Sequence, residues 1–129
     1  MNKWKITLFC LLSMWQISTF ADDKPQRVYL FGVATNFNDS TVYITDVQCL
    51  DSLTINPDGS LPNHVGYTLQ LKVFLEGSLD EKYQTCAVIY SDKKKKLARR
   101  FSAVQRKYQY KKDKNPILID KESFQFQKR

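Results

Sequence analysis

Residues 84–110 read QTCAVIYSDKKKKLARRFSAVQRKYQY, and the change of period inside this stretch decides the fold. Gln84 to Ser91 is apolar on both faces and partly β-branched, the pattern of a buried strand. Asp92 stands where a helix cap is wanted, and beyond it Leu97, Phe101, Val104 and Tyr108 fall at i, i+4, i+7 and i+11. On a helix that spacing makes one apolar stripe, which needs a sheet to face. The reading is a helix over 93–110 with Lys95, Arg99, Ser102, Arg106 and Gln109 opposite the stripe and Lys96, Arg100 and Lys107 beside it.

Upstream, residues 27–35 are apolar on both sides and rich in β-branched and aromatic side chains, as a central strand is. The cluster 36–40 is a turn and 41–47 a second strand, so a hairpin is expected. Residues 50–66 hold Asn56-Pro57-Asp58-Gly59 and Leu61-Pro62-Asn63, two turn signals, and read mostly as exposed loop. Residues 67–76 satisfy two periods. Tyr67, Leu69, Leu71, Val73 and Leu75 alternate as in a strand, while Tyr67, Leu71, Phe74 and Leu75 share a helical face, with Asn63 placed to cap it and Gly77 to end it. Residues 116–126, with Ile117, Leu118, Ile119, Phe124 and Phe126, predict a closing strand or hairpin.

The first twenty-one residues read as a leader. Lys3 and Lys5 precede an apolar run from Ile6 to Phe20, and Thr19-Phe20-Ala21 suits cleavage after Ala21. The run is interrupted by Ser13, Gln16, Ser18 and Thr19 and falls short of the roughly 20 residues of a membrane span. Cys10 follows the bulky Phe9, which argues against lipid attachment. The expected mature chain, 22–129, is a single domain. Its charge is divided: 22–90 carries four basic and nine acidic residues, a balance of −5, and 91–129 carries fourteen and four, a balance of +10. Such asymmetry in one small domain speaks to partners more than to fold. Two cysteines, Cys49 and Cys86, remain after cleavage. An even count in an oxidising compartment predicts a disulfide, worth roughly 3–4 kcal/mol on a chain-entropy model; two buried thiols in separate strands are the other reading.

Leu30-Phe31-Gly32, Tyr43-Ile44-Thr45-Asp46, the run Leu69-Gln70-Leu71-Lys72-Val73-Phe74-Leu75-Glu76, Thr85-Cys86 and the lysine-rich helix ending near Tyr108 together resemble a group of small exported proteins of unknown function from gut Bacteroidota. The resemblance covers most of the mature chain. It implies export, helix rather than strand for 67–76, and the order β-β-α-β-α-β. The expected fold is therefore α+β, a small antiparallel or mixed sheet with two helices on one face, with a ferredoxin-like sandwich as one form of it. In such a host, Asp39-Ser40-Thr41 and Asp51-Ser52-Leu53 are similar to triplets that carry O-linked glycans. The strand 86–90 and its following helix also resemble the second half of a peptidoglycan-binding SPOR-type domain, although Ser91-Asp92-Lys93 stands where that family has a glycine-phenylalanine turn.

Several chemistries lack their parts. His64 is the one histidine, lies in a turn-rich loop, and has no Gly-x-Ser-x-Gly or phosphate loop with it. Cys49, His64 and Cys86 match no zinc spacing, and Asp46, Asp51 and Asp58 are too widely separated for a calcium loop. No metal and no cofactor are expected.

The positive signal is the basic helix. Lys93, Lys94, Lys95 and Lys96 fill its first turn, where the dipole disfavours each cation by about 0.3–1 kcal/mol at low salt. A sequence selected for stability alone would avoid this arrangement. With Arg99, Arg100, Arg106 and Lys107 they form the expected binding surface, and Tyr108 and Tyr110 stand near for stacking. The expectation is a non-enzymatic, exported protein, periplasmic or secreted, that engages an anionic envelope polymer or an acidic protein. Nucleic acid suits the charge but not the compartment. Two other readings stand: a small hydrolase or inhibitor using the 52–66 loop around His64, and a structural subunit offering the hairpin 27–47 as an edge.

Overall fold

The computed structural model describes residues 25–129; the leader expected over 1–21 lies outside them. The elements are β1 (Gln26–Asn36), β2 (Asp39–Thr45), β3 (Gln48–Leu53), α1 (His64–Ser78), β4 (Thr85–Ser91), α2 (Lys94–Gln109) and β5 (Asn115–Ile119). They form an α+β fold around one open, mixed five-stranded sheet. The hairpin of β1 and β2 is present, with Ala34 opposite Tyr43 and Asn36 opposite Asp39.

The element order gains a strand over the expected one, because the start of the expected 50–66 loop belongs to β3 (Gln48–Leu53). Its sequence, Gln-Cys-Leu-Asp-Ser-Leu, buries only its two ends and so carries no strand-like apolar run. β3 exists because the chain continues along β1 after a break at Asp46 and Val47, placing Leu50 opposite Val28 and Cys49 opposite Tyr29. β4 pairs with the same stretch of β1, Tyr29 facing Ser91 and Ala34 facing Cys86. A strand has two edges, so β2 and β3 share one edge of β1 and β4 takes the other. β5 lies parallel to β2, Thr41 beside Asn115 and Thr45 beside Ile119. β1 is thus interior, β2 is paired on both sides, and the hairpin 27–47 offers no free edge of the kind a structural subunit would need.

The two helices lie on opposite faces of the sheet, not on one face as expected. Tyr67, Leu71 and Leu75 of α1 pack with Val28, Leu30, Ala34, Val88, Phe124 and Phe126. Leu97 of α2, with Phe101, Val104 and Tyr108, packs on Phe31, Val33, Val42 and Ile44. The registers give the reason. β3, β4 and β5 run parallel to one another, so α1 and α2 are both crossover connections, the first passing over β1 in one direction and the second returning in the other. Parallel crossovers share one hand, and opposite travel at one hand puts the helices on opposite faces. A ferredoxin-like sandwich, which needs both helices on one side, is excluded.

α1 explains the ambiguity of residues 67–76. Tyr67, Leu71 and Leu75 are fully buried, while Val65, Leu69 and Val73 stand on the exposed side. Positions four apart on a helix are also even-numbered steps along a strand, so two helical rows produced one apparent alternation. Asn63 stands at the expected cap position but at φ 60° and without a side-chain cap bond, and the helix runs one residue past Gly77 to Ser78, where Leu79 N–H returns to Leu75 O at 3.3 Å.

Two close fits lock the α1 layer. A Cβ on Gly32 would come within 2.5 Å of Leu71 Cδ2, so any other residue here would force the Leu71 side chain to move. Gly32 also lies where β2 gives way to β3, and its N–H donates instead to the buried Thr45 hydroxyl at 2.7 Å. Of the closing strand or hairpin expected over 116–126, the strand is present as β5, and 120–129 is an irregular tail. Two side-chain amides hold it. Gln48 Nε2 donates to Phe124 O at 3.0 Å while its Oε1 accepts from Phe126 N–H at 2.7 Å. Gln70 does the same for both backbone groups of Gln127, at 2.8 and 2.7 Å. Asp120 closes the preceding turn by accepting from Ser123 N–H, which holds its carboxyl below the usual carboxylate range.

Candidate functional site

The helix named from its apolar stripe is present, starting one residue later than expected. Lys93 occupies the cap position in extended conformation without a side-chain cap bond; its N–H donates to Ser91 Oγ at 3.1 Å. Ser91, not Asp92, supports this turn. Lys93, Lys94, Lys95, Lys96, Arg99, Arg100, Arg106 and Lys107 are all exposed. α2 contains no acidic residue, and among the described residues the one ion pair is Arg27 with Asp51 at 3.0 Å, on β1 and β3. The helical cations therefore stand without carboxylate partners among the described residues.

Helical geometry of about 100° per residue sets six of them in two rows. Lys95, Arg99 and Arg106 point away from the sheet, opposite Leu97. Lys96, Arg100 and Lys107 lie on one flank, and Lys96 and Arg100 line a groove of about 510 Å³ beside β4. The other flank, with Ser102, Gln105, Arg106 and Gln109, borders a groove of similar size against Pro116 and Leu118 of β5. Tyr108 is half-buried with Lys107 Nζ 5.4 Å and Lys111 Nζ 6.0 Å from its ring centre, so the chain's own lysines occupy that ring face. Tyr110 is the open one, 78 % exposed.

The groove beside β4 was not legible in the sequence. Its walls come from Gln26, the 55–59 turn, 88–92 and α2, segments that only the sheet register gathers. The turn itself behaves as its residues foretold: Asn56 N–H meets Ser60 O at 2.9 Å, Gly59 sits at φ 86°, and Asp58 accepts from Ser60 N–H at 3.0 Å. Bonds from Ser60 hold the Asp58 carboxyl below its ordinary range.

His64 begins α1. Its Nε2 lies 3.0 Å from Val88 O, and because a carbonyl can only accept, Nε2 carries the proton. The ring meets Tyr90 edge-on at 5.3 Å, and the Tyr90 hydroxyl accepts from Leu61 N–H at 3.1 Å. The histidine thus ties the loop and helix start to β4.

Cys49 and Cys86 are both free thiols, against the expected bridge. They sit on strands at opposite edges of β1, opposite Tyr29 and Ala34. Five residues of strand separate these positions, about 16 Å along the sheet, and their partners face opposite layers, far beyond the roughly 7 Å limit for a disulfide. Burial pushes the Cys86 thiol above its ordinary pKa, Lys72 acting against this and Glu76 with it. Ser40 and Ser52, the hydroxyls of the two glycan-like triplets, are exposed. Among the described residues no three His, Cys, Asp or Glu side chains cluster as metal ligands, and no helix is long and apolar enough to cross a membrane. Comparison with protein-family models, curated proteins and solved structures gave no match.

Proposed function

We propose that this protein is a non-enzymatic binding domain of the cell envelope, periplasmic or secreted, whose α2 engages an anionic polymer or an acidic protein. The observation that carries this reading is the exposure of all eight Lys and Arg side chains of α2 and its cap residue Lys93, on a helix with no acidic residue. Exposed like charges at i, i+4, such as Lys95 with Arg99 and Lys96 with Arg100, destabilise a helix by about 0.2–0.5 kcal/mol per pair. The lysines of the first turn add an unfavourable interaction with the dipole. A bound polyanion would reverse both terms, since its charge meets the cations and the helix N-terminus together. The leader-like residues 1–21 and the resemblance to exported proteins of gut Bacteroidota support an envelope setting, and engagement of this kind uses no cofactor.

The test is binding of the purified protein to peptidoglycan, lipopolysaccharide and dextran sulfate across a salt series. Replacing Lys93, Lys95, Arg99 and Arg106 together by Gln removes most affinity while the circular dichroism spectrum is unchanged, because these positions lie off the buried stripe. Equal affinity in wild type and variant overturns the proposal.

A further inference from the structure

The edge of β4 supplies a second half to this basic surface. Gly32 turns its N–H toward Thr45, on the β2 side of β1. Its register partner Val88 therefore points its N–H and C=O the other way, out from the sheet, as do Cys86 and Tyr90 at alternate positions. The contact of Val88 O with His64 confirms this direction. Among the described residues β4 pairs with β1 alone, so the N–H of Val88 and both backbone groups of Tyr90 face the groove with no described strand beyond them. One wall of that groove is Ile55 and Gly59; the other carries Lys96 and Arg100. Asp92 is the single acidic residue lining it.

We infer that an extended acidic peptide segment adds to β4 as a further strand, its backbone pairing with both groups of Tyr90 and with the N–H of Val88, whose carbonyl is held by His64, and its carboxylates meeting Lys96 and Arg100. This rests on the basic-helix reading and narrows its partner to a polypeptide. Backbone pairing gives affinity in such strand addition, and alternate side chains give selectivity. Here every second side chain of the added strand projects to the α2 side, where two cations wait, and the intervening ones project toward Ile55. An alternation of acidic and apolar residues fits both walls.

The probe is a blocked heptapeptide alternating valine and glutamate, titrated into the isotope-labelled protein. Binding is expected to slow hydrogen exchange at the Val88 and Tyr90 amides. Lys96→Gln with Arg100→Gln is expected to weaken it about tenfold. The same peptide N-methylated at alternate residues keeps its charges and loses one row of backbone bonds, so two versions, methylated in either phase, must differ in affinity. Equal binding by both methylated versions, or no protection at Val88 and Tyr90, overturns strand addition while the basic-helix reading stands. Failure of the heptapeptide with retained dextran sulfate binding does the same. Failure of both probes overturns both readings.

Discussion

The two helical layers of this protein contrast in what they bury. α1 seals its side with three fully buried residues, a close approach at Gly32, and a C-terminal tail that contributes Phe124 and Phe126. α2 has one fully buried residue, Leu97, and three others only half covered. Most of its circumference is given to exposed cations, which lower its intrinsic stability. The difference is one of burial across one sheet: the α1 layer is closed by apolar contacts, and the α2 layer gives its outer face to charge.

The sharpest way to break this contrast is to cut the same type of contact on each side. Leu71→Ala opens a cavity beneath α1, against Gly32, and is expected to cost about 2–5 kcal/mol; Val104→Ala, on the half-exposed row of α2, is expected to cost clearly less in urea unfolding. Comparable losses would mean that both layers support the fold equally.

A smaller effect tests whether the tail belongs to the α1 layer. Gln48→Ala leaves Phe126 N–H and Phe124 O, both in buried surroundings, without partners and is expected to cost about 1–3 kcal/mol. Gln70→Ala exposes its two backbone groups to water and is expected to cost less than about 1 kcal/mol. Faster proteolysis after residue 120 in the first variant alone would complete the distinction.

The smallest effect has the opposite sign. Lys94→Glu places a carboxylate in the first turn of α2 and is expected to raise stability by about 0.3–1 kcal/mol at low salt, with the gain fading as salt rises. A loss would mean that Lys94 makes a stabilising contact and that the lysine run is there for the fold.

Much of the fold was legible because it is written locally. The period of Leu97, Phe101, Val104 and Tyr108 placed α2, the flanking apolar runs placed β1, β2 and β4, and the Asn56 to Gly59 turn formed as its residues require. β3 was missed because only its pairing with β1 makes it a strand. The exposure of the eight candidate cations was legible as well, since positions off the apolar stripe of one helix need no tertiary knowledge. The groove residues Gln26, Ile55, Gly59 and Tyr90 were not, because they lie in separate segments with no common period.

By itself, then, the sequence determined the α+β class, the identity of the basic helix and its apolar stripe, each a consequence of backbone periodicity within a few residues. Tertiary structure alone decided three things. It set the helices on opposite faces, because two crossovers of one hand travel in opposite directions. It kept Cys49 and Cys86 apart, because they flank β1 on different edges. It left the outer edge of β4 beside Lys96 and Arg100, because register, which joins residues distant in the chain, fixes where an unpaired backbone meets unpaired charge.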